Sequence, residues 1–305
     1  MKCAETTRRT AKTLSRIVVF VAFATHAPWA QVASALLPSD AAELVRKVVQ
    51  NEINSSNQSM RFQFRGAKTT PKGSVTKAYI ETGGGTAGMA VAYDGKPLTE
   101  DQRRAEHARI ERFLNDPEEL RKKRNQERED TERTNRIVRA LPDAFLYEYA
   151  GQETGGSGIG SASDPLIRLK FRPNPAYRPP SRVEEVLTGM QGELLLDLTR
   201  KRMASIDATL FKEVSFGWGI LGHLDPGGRF VVHQQAVEDN LWEISLMQLK
   251  FTGKVLLVKS LFIESTEVFN DFQRVPGNLT FAQAVEMLEK RENGGAAKES
   301  GFTGH

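Results

Sequence analysis

From residue 190 onward the chain alternates large apolar and polar side chains with a period of two, in successive runs separated by turn residues. A two-residue period puts one face of an extended segment on a core and the other in water, so this half of the chain is expected to be antiparallel β-sheet. The runs predict strands at Met190–Leu198, Ala204–Phe211, Val214–Leu221, Arg229–Glu238, Leu241–Phe251 and Val255–Phe269. Turns are signalled by Thr199-Arg200-Lys201, Asp225-Pro226-Gly227-Gly228 and Thr252-Gly253-Lys254. So many hairpins in sequence favour a large curved sheet, an incompletely closed barrel.

The front half mixes both periods. Leu44, Val48 and Val49 fall on one helical face behind Asp40 and Glu43, which predicts a first helix ending near Asn54. Phe62 and Phe64 alternate with arginines, and Val75 to Ile80 and Met89 to Tyr93 continue as strands around Pro71-Lys72-Gly73 and up to Asp94-Gly95. Between Thr99 and Ala140 the chain turns dense in Glu, Arg, Lys and Gln. Thr99 and Gln102 have capping-box spacing, and Asp116-Pro117 predicts a break between two helices. Residues 121–136 carry no large apolar side chain, so this stretch is expected to be a solvated helix, with a protruding arm that contacts a partner as the alternative. Phe145, Tyr147 and Tyr149, and later Ile167, Leu169 and Phe171, restore the strand period on either side of a Gly/Ser-rich segment, 151–163, expected to be a flexible loop. Ser181 and Glu184 suggest a short helical turn over 182–187. A helix at Phe281–Leu288 and a disordered Gly-rich tail are expected to complete residues 276–305.

Residues 1–35 read as a signal peptide: a basic stretch to Arg16, an apolar stretch from Ile17 to Ala24, then small residues, with cleavage expected after Ala35 or, as second choice, Ala30. The alternative is an uncleaved anchor, against which His26 and Pro28 interrupt the apolar run well short of the ~20 residues that a spanning helix needs. A periplasmic or secreted protein with no membrane span in its mature chain is the consequence. Thr7-Arg8-Arg9 resembles a twin-arginine signal, yet Ala11 and Lys12 follow it, which favours the general route. Of the 42 Lys+Arg and 38 Asp+Glu, five and one lie in this segment, so 37 of each sign remain. A neutral mature chain lacks the net positive field that nucleic-acid binding requires, and no nucleic-acid partner is expected. Cys3 precedes the cleavage site, which removes disulfides, thiolate metal sites and cysteine nucleophiles from the mature protein.

No catalytic constellation is apparent. His107, His223, His233 and His305 form no metal-ligating spacing, His107 and Glu111 read as an ordinary polar pair on a helix, and nucleophile-elbow and phosphate-loop motifs are missing. Gly155 to Gly160 lacks the strand–helix context of a dinucleotide cradle. Asp197, Asp207 and Glu213 offer carboxylates for hydrolysis only if the fold converges them. No cofactor and no metal are expected. The most suggestive segment is Phe216-Gly217-Trp218-Gly219-Ile220, in which glycines on one face permit a bend or the close approach of a ligand. Phe216, Trp218, Phe230, Trp242 and Leu246 are therefore the candidate wall of an apolar ligand site, with a packed sheet bend as the plainer reading.

The run Gly192-Glu193-Leu194-Leu195-Leu196-Asp197, followed by a turn and Met203–Leu210, resembles the strand pair of envelope proteins related to the outer-membrane lipoprotein carrier and sorting proteins. The resemblance extends in layout over residues 36–275. It implies a half-open β-barrel enclosing helices, with an apolar concavity for acyl chains, and it assigns no functional residue. The charged insertion 99–140 lies outside that pattern. Three functions follow in order: a non-enzymatic envelope protein binding a lipid, acyl chain or other apolar ligand; an interaction protein engaging an envelope protein partner through the charged arm; and a hydrolase using carboxylates or His223 and His233.

Overall fold

The structure is a computed structural model that describes residues 38–56, 60–216, 221–238, 241–255 and 259–300. The expected leader lies outside these residues. In chain order the elements are α1 (Pro38–Ser56), β1 (Arg61–Thr70), β2 (Gly73–Ile80), β3 (Ala87–Tyr93), β4 (Lys96–Pro97), α2 (Glu100–Asn115) and α3 (Pro117–Ala144). There follow β5 (Phe145–Thr154), β6 (Pro165–Pro173), the single turn α4 (Arg182–Glu185) running into a 3-10 turn (Val186–Gly189), β7 (Met190–Asp197) and β8 (Arg202–Leu210). The chain continues through β9 (Val214–Phe216), β10 (Gly222–Leu224), β11 (Arg229–Glu238), β12 (Leu241–Val255), β13 (Lys259–Val275) and α5 (Phe281–Ser300). All described strands belong to one open antiparallel sheet, ordered β4-β3-β2-β1-β13-β12-β11-β8-β7-β6-β5, with β10 paired onto β12 and β9 onto β10. The molecule is α+β, a large curved sheet packed on helices.

Several expectations change in detail. Of the strand expected over Val214–Leu221, β9 (Val214–Phe216) is present, 217–220 lie outside the described residues, and a further short strand not expected from the sequence, β10, follows at Gly222–Leu224. Helix α3 passes through Pro142 and ends at Ala144. Pro142 has no N–H to donate to the ladder, and the helix ends two residues after it. Segment 151–163 is pinned: Gly160 donates to the Gln234 carbonyl (2.7 Å), Ala236 donates to the Gly160 carbonyl (3.1 Å), and Ser245 donates to the Gly158 carbonyl (2.5 Å). The C-terminal helix runs to Ser300, well past Leu288.

Paired residues of antiparallel strands point to the same side, so the register carries each face across the sheet. One row runs Leu169, Leu194, Ile206, Val232, Met247, Glu267, Lys68 from β6 to β1; the adjacent row runs Arg168, Leu195, Ser205, His233, Leu246, Val268, Ala67 on the other face. Over β5–β8 the first face is covered by α1, through Val45, Val48, Val49 and Ile53, and by the end of α3, through Leu141 and Ala144. Over β1–β3 the second face is covered instead: Ile80, Ala87 and Met89 pack with Ile110 of α2 and Phe281, Val285 and Leu288 of α5. On the first face of this half, Phe64 stacks on Tyr79 (5.1 Å) and Phe272 (5.3 Å), and Gly66 leaves room for the Tyr79 ring, whose Cε2 would lie 2.9 Å from any added Cβ. Helix α3 spans both halves, with Leu120 against the α2–α5 core and Leu141 in the α1 core; its 28 residues reach roughly 42 Å.

The charged insertion has a backbone task. Strand β3 is nearly an edge, since β4 pairs only with Ala92 and Tyr93. Farther along the same edge, Glu106 of α2 accepts the Ala90 N–H (2.7 Å), Arg109 donates to the Gly88 carbonyl (2.7 Å), and Glu127 of α3 accepts the Thr86 N–H (3.1 Å). Glu106 and Arg109 also pair with each other at 2.7 Å. Burial alone would raise the Glu106 carboxyl, but the Arg109 and Ala90 hydrogen bonds outweigh it and hold the carboxyl below its ordinary value. These side chains occupy the positions that another strand would take, which closes the edge against intermolecular pairing. Glu106→Ala strands both the Ala90 N–H and Arg109, and is expected to cost roughly 2–3 kcal/mol in urea unfolding, against under about 0.5 kcal/mol for exposed Glu111→Ala. Equal losses would show that the edge contacts contribute nothing.

Candidate functional site

An apolar cavity of about 330 Å³ opens on the α1 face, between the end of α3 and the strands. Ile137 and Leu141 of α3 and Val186 and Leu187 of the 3-10 turn form its roof. Phe145, Phe171, Ile206, Ala208 and Phe230 form the sheet wall, and Leu224, Phe251 and Ile263 stand on the hairpins at one side. Each side of this lining is fixed by local sequence. Ser181 caps the short α4, its hydroxyl accepting the Val183 N–H at 3.2 Å, and so turns Val186 and Leu187 inward. Buried Tyr147 donates to the Leu141 carbonyl at 2.7 Å, tying the α3 terminus to β5. Burial pushes the Tyr147 hydroxyl far up, so it stays a neutral donor. The lining side chains are hydrocarbon apart from the Met190 thioether and carry no N–H or O–H, so they hold an apolar group by contact and water exclusion and do not orient a polar one.

Of the five residues expected to form a ligand wall, Phe230 lines this cavity and Phe216 packs against the same core. Trp218 lies outside the described residues. Leu246 pairs with His233 and Val268 and therefore faces away from Phe230, which pairs with Leu249. Trp242, 5% exposed, packs with Leu166, Leu195 and Ala204 on that opposite face, beneath the pinned 151–163 segment. Trp242 is a core residue and Leu246 a half-buried one, both on the other side of the sheet from the cavity; sequence spacing cannot show which parity of β12 faces which way. Conversely, Ile206, Ala208 and Phe251 follow the same alternation, while Ile137 and Leu141 arrive from a helix whose packing partner no local signal names.

Gly217 and Gly219, where a bend or close approach is expected, lie outside the described residues; beside the cavity, close backbone approaches are present at Gly222 and Gly253. A Cβ on Gly222 would sit 2.1 Å from the Lys254 carbonyl oxygen, and one on Gly253 would sit 2.1 Å from that of His223. Glycine thus lets β10 lie tight on β12 and hold Leu224 over the cavity.

Chemistry-bearing groups do not converge on the cavity. His107 contacts Glu289 at 3.1 Å, His223 contacts Asp225 at 3.3 Å, and Asp207 pairs with Arg229 at 2.7 Å. Among the described residues no three His, Cys, Asp or Glu side chains form a metal-holding group. A larger hollow, about 730 Å³, lies between β1–β4, α2 and α5, but its charges already pair, as in Arg65 with Glu292 (3.7 Å) and Arg103 with Glu100 (2.6 Å). Beside the sheet end, Arg202 holds Glu52 of α1 through two hydrogen bonds of 2.9 and 3.0 Å and lies 5.7 Å from the Trp242 ring centroid. Glu243, next to Trp242 in β12, is pushed up to about 7 by desolvation and then by Glu81, against the opposing effect of Arg202.

A carboxyl raised in the folded state binds more protons there than in the unfolded chain between its ordinary value and about 7. Its stabilising effect is complete below the ordinary carboxylate range and disappears as pH rises through about 7. Urea unfolding between roughly pH 5 and pH 8 should show stability falling by on the order of 2 kcal/mol from this group, and Glu243→Gln should flatten the slope. Parallel wild-type and Glu243→Gln profiles would refute the assignment.

No protein-family profile matches this sequence, and no curated protein matches it. Among solved structures, the chain is similar to the crystal structure of a DUF1329 family protein from Desulfovibrio piger, at 10% sequence identity, covering 81% of this chain and 97% of that one, with a TM-score of 0.29. A likeness this distant carries no weight for activity, ligand or partner. No helix among the described residues is long and apolar enough to cross a membrane.

Proposed function

We propose that this is a non-enzymatic binding protein that takes a single apolar chain, of the size and chemistry of an acyl group, into the cavity between α3 and the sheet. The observation that carries the reading is the lining: thirteen residues, every one apolar, around about 330 Å³. A pocket of this volume lies at the lower end of the range for small-ligand sites, and walls without a donor or acceptor select against polar guests. The exported location expected from residues 1–35, and the resemblance in layout to lipoprotein carrier and sorting proteins, are consistent with a lipidic guest. The alternative of an envelope scaffold draws on the exposed outer side of α3, where Arg128, Glu129, Glu132 and Arg133 pair mainly among themselves.

Displacement of a fluorescent fatty acid, together with native mass spectrometry of the protein isolated from the envelope, tests the proposal. Ala208→Phe fills the cavity from the sheet wall and should weaken binding at least tenfold, with about 1–3 kcal/mol of overpacking cost. Leu224→Ser at the cavity rim should weaken binding without that cost. Retained wild-type affinity in both variants, or no uptake by the parent protein, would sink the idea.

A further inference from the structure

The hollow of about 730 Å³ between β1–β4, α2 and α5 holds four glutamates, and each of them already has a partner. Glu106 is taken by Arg109 and the Ala90 N–H, Glu100 by Arg103 (2.6 Å) and Glu289 by His107 (3.1 Å), while Glu292 faces Arg65 at 3.7 Å. Of the lining arginines, Arg104 pairs with Asp101. Arg291 of α5 stands apart: among the described residues it is the one lining arginine in no ion pair.

Its guanidinium is nevertheless held in place. Arg291 donates from Nη1 to Gln63 Oε1 (2.6 Å) and from Nη2 to Gln273 Oε1 (3.4 Å), and Gln63 Nε2 donates to the same Gln273 oxygen (2.7 Å). The β1–β13 register sets these two glutamines opposite each other, and Gln63 pairs with Ile80, which packs in the core that α5 covers. Amide oxygens orient a guanidinium without neutralising it. Two of its five N–H groups are thus committed to neutral acceptors, and the rest of the fork is left for a planar anion. Arg65 lies two residues from Gln63 along β1, and its 3.7 Å contact with Glu292 is too long for a hydrogen bond, so it offers donors to the same place.

The hollow is far larger than an inorganic ion and falls in the ~300–1,000 Å³ range of small-molecule sites. Val91, Ala92 and Pro97 of the β3–β4 hairpin add an apolar ledge to its lining, and none of the three is buried. An organic anion would cover that ledge, which an ion alone would leave wet. We propose that this hollow is a second ligand site, taking a small organic anion whose carboxylate or phosphate pairs with Arg291, with Arg65 alongside, and whose apolar body lies along Val91, Ala92 and Pro97. The site shares no lining residue with the apolar cavity and does not depend on it.

Isothermal titration of the full chain with naphthalene-2-carboxylate, 2-naphthyl phosphate and uncharged naphthalene-2-carboxamide tests the site. At least one anion should bind at least tenfold more tightly than the carboxamide, and the tighter of the two identifies the preferred acid. Arg291→Gln should weaken that binding at least tenfold. Gln63→Leu keeps the charge but removes its holder, and should weaken it about threefold. Arg136→Gln removes another exposed arginine that forms no ion pair among the described residues, and should change nothing. Circular dichroism and thermal midpoint should remain those of the parent, since Arg291 is exposed and Gln63 only half-buried. No binding of either anion, equal binding of the carboxamide, or undiminished binding by Arg291→Gln or Gln63→Leu overturns the proposal. Equal losses in Arg291→Gln and Arg136→Gln overturn it in favour of overall charge. Binding abolished by Ala208→Phe but kept by Arg291→Gln would put the probe in the apolar cavity, which overturns this site and leaves the proposed function standing.

Discussion

A sheet that does not close leaves two faces and two edges, and the backbone hydrogen bonds and alternating side chains of this chain oblige it to cover each one. The strand pairing carries a single inside–outside assignment from β6 to β1, so a helix at one end of the sheet constrains which residues are wet at the other. The covers then divide by face. Helix α1 and the end of α3 bury the first face over β5–β8, while α2 and α5 bury the second over β1–β3. The cavity lies at the margin of the first cover, beneath the end of α3 and the 3-10 turn, walled by β5–β8 and bounded on one side by Phe230, Phe251 and Ile263 of β11–β13.

Edges are handled with charge. Glu106, Arg109 and Glu127 come from the most polar stretch of the chain, and their targets are main-chain groups of β3. A carboxylate and a guanidinium on a helix thereby replace a missing strand, and the internal Glu106–Arg109 pair keeps both groups ionised where they are half desolvated. Much of the outward side of α3 remains solvated, so one helix both seals an edge and bridges two cores.

Glycine sets one side of the cavity. Tight packing of β10 on β12, allowed by Gly222 and Gly253, fixes Leu224 above the cavity, and Phe251 and Ile263 complete the apolar lining on that side. The space between sheet and helix there depends on two positions at which any side chain would collide with a neighbouring backbone carbonyl.

Sequence by itself determined the elements: the two-residue rhythm of Met190–Asp197, Arg202–Leu210 and Arg229–Glu238, the Thr99 capping box and the Asp116-Pro117 break are local, and local hydrogen bonding and side-chain spacing suffice to set them. Which way each strand faces was not local. Phe230 and Leu246 both sit in alternating runs, yet the β11–β12 register sends one to the cavity and the other to the far side, and a one-residue offset would exchange them. The charges of 121–136 read as solvated because nothing near Glu127 in sequence shows the Thr86 N–H, just before β3 and 41 residues earlier, that it accepts. Only the tertiary structure decided faces, edges and cavity, since each depends on pairings between residues far apart in the chain.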